Sequence, residues 1–139
     1  MSEQGILFLC GLGAALVAYF SKNFIFDELL AYRKIVGRVR NRLRYHAGII
    51  TNDEFPADVV IPIREELRQL SCDLDECYYA IPFVTWLYVI YRVPSPRNFD
   101  LAASQLVFLS NNTGRKNSVD KNDEAIRIIL TSLHLKRWG

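Results

Sequence analysis

The apolar positions of this chain fall into one unbroken run followed by a series of helical seams. The run is Gln4 to Ser21, QGILFLCGLGAALVAYFS, eighteen residues without a charge. Behind it, Leu29, Tyr32, Val36, Val39, Leu43, His46 and Ile50 recur at alternating spacings of three and four, which predicts one long helix over residues 24–51. Thr51-Asn52-Asp53-Glu54-Phe55-Pro56 breaks it with turn residues and a proline. A second seam, Ile63, Leu67, Leu70, Leu74, Cys77 and Ile81, predicts a helix over 57–80, with Pro62 a competing start for its regular part.

Pro82 opens a short, almost wholly apolar segment that ends at Tyr91. Ser95-Pro96 then reads as an N-cap with proline at the first helical position. The third long helix runs to about Asn112, with Phe99, Ala103, Leu106 and Leu109 or Ser110 inward. After the polar stretch Asn111 to Ser118, a last helix is expected over 118–136, with Ile126, Ile129 or Leu130, and Leu133 inward. It is acidic early and basic late, as a helix dipole prefers.

Four amphipathic helices with short links predict an all-α fold, an antiparallel four-helix-like bundle over 23–139 behind an anchor over 1–22. Helix lengths then sort the links. A first bundle helix rises about 38 Å and a second of similar length returns, so the Pro82–Tyr91 segment comes back to the level of the anchor. The last helix brings the C-terminus to the same level. Trp86, Tyr88, Tyr91, Arg92, Lys136, Arg137 and Trp138 are therefore the expected membrane-interface residues, of the types that favour a headgroup zone.

A helix of the uncharged run spans about 27 Å, close to a hydrocarbon core of roughly 30 Å. A cleaved signal would need a basic start and a small-residue cleavage site, and Met-Ser-Glu-Gln has no basic residue. A buried core helix is the remaining competitor. Between Lys22 and Arg44 stand seven basic residues against Asp27 and Glu28, so the expected topology is a single pass in the inner membrane with the N-terminus outside and the C-terminal domain cytosolic. Gly11, Ala14 or Ala15, and Ala18 share a face that permits close helix approach, though small residues are common in spans anyway.

Composition adds few constraints. With 50% apolar and 23% charged residues in 139, the chain has enough material for one packed core, and its net charge of +2 selects no partner class. Three cysteines, Cys10, Cys72 and Cys77, do not form a secreted disulfide framework. Cys72 and Cys77 are five apart and diverge on a helix.

His46 in the first seam could titrate or bind a metal, but a lone histidine on an apolar face is more often a hydrogen-bonded packing residue. With Arg40 and Arg44 it makes the candidate polar site. The arginines could contact anionic lipid, or pair with Glu65, Glu66, Asp73, Asp75 and Glu76 of the second helix. No phosphate loop, zinc-protease or di-iron motif is present, so no catalytic residue, metal ligand or cofactor is assigned. Nucleic acid is not an expected partner, because no recognised fold signature accompanies the charge.

The order of apolar span, then AYRKIVGRVRNRLRYHAGIITN, then IREELRQLSCDLDECYYAIPF resembles small uncharacterised bacterial membrane proteins with one N-terminal span. That resemblance implies an inner-membrane setting and brings no site residues. The expected function is a membrane-anchored interaction or scaffold module without catalytic activity, its partners the bilayer and a protein or second copy. The alternative is a ligand- or lipid-responsive sensor or enzyme with its site at the bundle–membrane junction. An apolar groove on an otherwise solvated bundle would favour the first, and a convergent polar pocket containing His46 or several arginines the second.

Overall fold

The structure is a computed structural model that describes residues 2–82, 84, 89 and 91–138. Helix α1 is Glu3–Ser21, capped by the Ser2 side chain, which accepts from the Gly5 N–H. A single π-helical turn, Lys22–Phe26, joins it without a break to α2, Asp27–Ile50. Helix α3 is Ala57–Tyr79, α4 is Pro96–Asn112 and α5 is Val119–Ser132. Among the described residues there is no strand.

Helices α2 to α5 form an antiparallel bundle around one apolar core. Polar contacts fix the directions. Arg38 faces Asp73 and Arg42 faces Glu66, so α2 and α3 run oppositely. Arg68 meets Asn111 and Tyr79 meets Asp100, so α3 and α4 do too. The Asn122 side-chain amide donates to the Ile50 carbonyl and ties the start of α5 to the end of α2. Tyr32, Val36, Val39, Leu43, Leu67, Leu70, Leu74, Leu106 and Leu130, the inward positions of the sequence seams, are all buried. At the foot of α3 the fully buried residue is Tyr78, while Cys77 is only half-buried. Tyr78 stacks on Phe99 at 3.7 Å and its hydroxyl donates to the Pro94 carbonyl at 2.9 Å.

Helix α1 stands outside this core, and none of its residues is buried. A core helix would be covered by its neighbours, so the reading of the apolar run as a buried helix fails. What remains is an N-terminal helix long and apolar enough to cross a bilayer. Its exposed apolar surface continues past Lys22 through Phe24, Phe26 and Leu30.

Two local features depart from the sequence reading, and a third settles a choice that it left open. Helix α3 begins at Ala57 and carries Pro62 inside it, so Pro62 is not its start. The first helix has no boundary at residue 24, because the π turn carries α1 straight into α2. The last helix ends at Ser132, not at Lys136. His134 takes a positive φ of 57°, and two backbone bonds close the end: Leu135 N–H to Leu130 O at 2.7 Å, and His134 N–H to Thr131 O at 3.1 Å. This is the Schellman arrangement, with histidine where glycine is usual. It sends the chain back along α5, so Arg137 reaches Asp123 near that helix's start at 2.6 Å.

Candidate functional site

The residues singled out on α2 go to different places. His46 donates Nε2–H to Glu66 Oε2 at 2.7 Å, and Arg42 Nε lies 2.9 Å from the other oxygen of the same carboxylate. Helical geometry sets Arg40 on another face, where its Nε donates to the Lys136 carbonyl at 3.2 Å. Arg44 is exposed. These three do not meet in one site. His46 belongs to an Arg42–Glu66–His46 contact between α2 and α3.

The expected interface residues also separate. Trp86 and Tyr88 lie outside the described residues. Tyr91 and Arg92 stand at the end of the bundle where α3 hands over to α4, and the Tyr91 ring meets Phe26 edge-on at 6.1 Å. Lys136, Arg137 and Trp138 are carried away from that end by the turn at His134: Arg137 is held by Asp123, and Trp138 packs half-buried against the core. Their expected position depended on α5 continuing to Lys136, which the Schellman turn prevents.

A groove of about 730 Å³ opens where α2, residues 91–93 and residues 133–135 meet. Tyr32, Arg33, Val36, Gly37 and Arg40 line one wall, and Arg92 and His134 lie opposite. Spacing explains the α2 wall. Arg33, Gly37 and Arg40 are separated by four and three residues and so share one helical face. Three arginines line the groove, and among the described residues no Asp or Glu does. Arg33 and Arg92 form no ion pair among the described residues.

Two further properties mark this groove. Arg92 and His134 both have left-handed backbone, at φ 54° and 57°. Such a conformation costs a non-glycine residue on the order of 1–2 kcal/mol. Tyr32 is 4% exposed, and its hydroxyl is buried without a hydrogen-bond partner. Burial, with Tyr78 nearby, raises the Tyr32 phenol well above its ordinary value, so it stays a donor at any physiological pH.

The opposite groove of α2 is chemically different. It holds Glu28, Lys34, Arg38, Asp73 and Glu76 around Cys77, charges of both signs, with Arg38 paired to Asp73. Burial first, and then Glu76, Asp73 and Glu28, raise the Cys77 thiol, which keeps it protonated and unreactive. Among the described residues no cluster of histidine, cysteine or carboxylate could hold a metal ion.

The sequence reading named Arg40 and Arg92 separately and missed their convergence with Arg33 and His134. The four residues span about a hundred positions of sequence, and no periodicity links them. Comparison with protein-family models, with curated proteins and with solved structures returned no match.

Proposed function

We propose that this chain is a single-pass membrane protein, N-terminus outside, whose cytosolic bundle is a binding module rather than a catalyst. The observation that carries the reading is α1: apolar, with none of its residues buried, and continuous with α2 through a helical turn. A bare apolar helix in water is strongly unfavourable, and a bilayer removes that cost. The basic residues on the bundle side of α1 support the orientation, and the setting proposed is the inner membrane of a bacterium. Carbonate extraction of membranes tests the anchor. The protein is expected to stay in the pellet, and a C-terminal reporter is expected to report the cytoplasm. Release into the supernatant would overturn the proposal.

Two uses of the bundle compete: a scaffold for a protein or second copy, and a ligand- or lipid-responsive module. The convergence of Arg33, Arg40 and Arg92 without a carboxylate favours the second. An interaction scaffold would need an apolar docking face on the bundle, and this groove instead carries three arginines.

A further inference from the structure

We propose that the groove between α2, Arg92 and His134 is a site for a phosphate group, presented by the headgroup of an anionic lipid. The choice of lipid as the source rests on the anchored reading above; the phosphate chemistry does not.

The charge argument comes first. The chain has 15 acidic residues against 17 basic ones, so carboxylates are plentiful. On the flank of α2 facing α3 they are used, with Asp73 and Glu66 taking Arg38 and Arg42. Among the described residues none lines this groove. Guanidiniums gathered without a counter-charge repel one another, and an anion offsets that repulsion. Arginine's planar fork matches the oxygens of a phosphate, which several arginines can share.

The groove walls carry the same argument in neutral groups. Tyr32, on the groove wall, has a buried O–H with no acceptor among the described residues. A donor left unsatisfied costs on the order of 1–3 kcal/mol, and a turn of the ring toward the groove would let an anion oxygen accept from it. Gly37 lies between Arg33 and Arg40, where an added Cβ would meet nothing within 4 Å. No packing contact demands a glycine there, and a glycine inside a helix costs about 1 kcal/mol against alanine. Its absent side chain leaves the floor open. The volume lies within the range of small-ligand sites.

Location points to the source. Tyr91, on the rim, touches Phe26, the last residue of the π turn below the groove. The exposed Phe20, Phe24, Phe26 and Leu30 continue the apolar surface of α1 up to this rim. Arg33 stands about 10 Å along the helix from Phe26, next to a headgroup layer some 5–7 Å deep. A lipid could keep its tails beside α1 and place its phosphate among the arginines.

The test uses the full chain in a zwitterionic detergent. Phosphatidic acid, phosphatidylcholine and inorganic phosphate are titrated separately, with retained lipid read by native mass spectrometry and the unfolding midpoint by circular dichroism. Phosphatidic acid is expected to bind at least tenfold tighter than phosphatidylcholine. Gly37→Glu, and the double variant Arg33→Gln with Arg92→Gln, are expected to weaken it at least tenfold with helicity unchanged. Gly48→Glu adds the same charge at an equally open position outside the groove and is expected to bind as the parent does. If inorganic phosphate alone raises the midpoint and the lipid adds nothing, the phosphate site stands and the lipid source is overturned. Equal binding of the two lipids, or equal loss in Gly37→Glu and Gly48→Glu, overturns the site. Carbonate extraction separates the two readings: a chain that washes off membranes but binds phosphate loses the anchor only, and one that stays without lipid selectivity loses the groove only.

Discussion

On the flank of α2 that faces α3, Arg38 lies 3.9 Å from Asp73, and Arg42 lies 2.9 Å from a Glu66 carboxylate that also accepts from His46. On the flank that faces the C-terminal turn, Arg33 and Arg40 line a groove with Arg92 and meet no carboxylate among the described residues. One helix thus carries two arginine faces with different uses. The first holds two helices in register. The second leaves cationic groups, a buried phenol and two left-handed residues around an open space, an arrangement that gives up stability.

Both flanks stand on one core, so the strongest perturbation must strike them together. Leu70→Ala removes a buried side chain of α3 and is expected to destabilise the bundle by roughly 2–5 kcal/mol in chemical denaturation. A loss under about half a kcal/mol would mean that the core does not join the flanks.

Alkali is expected to act next, at the end of the bundle where the groove lies. Burial, followed by Tyr79 and Asp100, pushes the Tyr78 phenol from 10.0 up to about 12. The folded state therefore holds this proton more tightly than the unfolded state does. Stability is complete below pH 10 and falls as pH rises from about 10 to 12. Tyr78→Phe should make that fall shallower, at the cost of the hydrogen bond to Pro94, with the raised Tyr32 phenol keeping part of it.

The flanks themselves should then separate. Glu66→Ala strands Arg42 and the half-buried His46, and a loss of about 1 kcal/mol is expected, modest because the pair is partly exposed. Arg33→Gln breaks no pair and is expected to change stability by less than about 0.5 kcal/mol. Equal losses in the two variants would erase the distinction between the faces. The smallest net effect has the opposite sign: His134→Gly relieves the left-handed backbone at the end of α5 and should stabilise by up to about 1 kcal/mol. If the groove binds phosphate, this variant should also bind it more weakly.

The seams of α2, α3, α4 and α5 were legible because their cause is local: a helix with one covered side repeats its apolar residues at three and four. The Ser95-Pro96 start of α4 was legible for the same reason, and the Ser95 hydroxyl does accept from the Asn98 N–H. The end of α5 was not. Its apolar period continues through Leu133, and the residue at the left-handed position is a histidine, which carries no stop signal. The π turn leaves no mark either, since Lys22–Phe26 has ordinary helix-compatible residues. The groove was least visible of all. Arg33 and Arg40 are spaced for one face, but Arg92 and His134 join them only through the packing of distant segments.

The π turn has a mechanical consequence. It holds one residue more per hydrogen-bonded loop than an α turn, and it does so without a hinge residue such as glycine or proline. Helices α1 and α2 are therefore one rod, and the bearing of the groove around that rod is locked to the bearing of α1. In the anchored state proposed above, any rotation of α1 about its axis turns the arginine face through the same angle. Deleting Asn23 would return the turn to α geometry without inserting a joint. The rod would stay stiff and the groove would keep its bearing, because four α residues turn through about the angle that the five residues of the π turn cover. One residue deleted inside α1 would instead swing the groove round by about 100°.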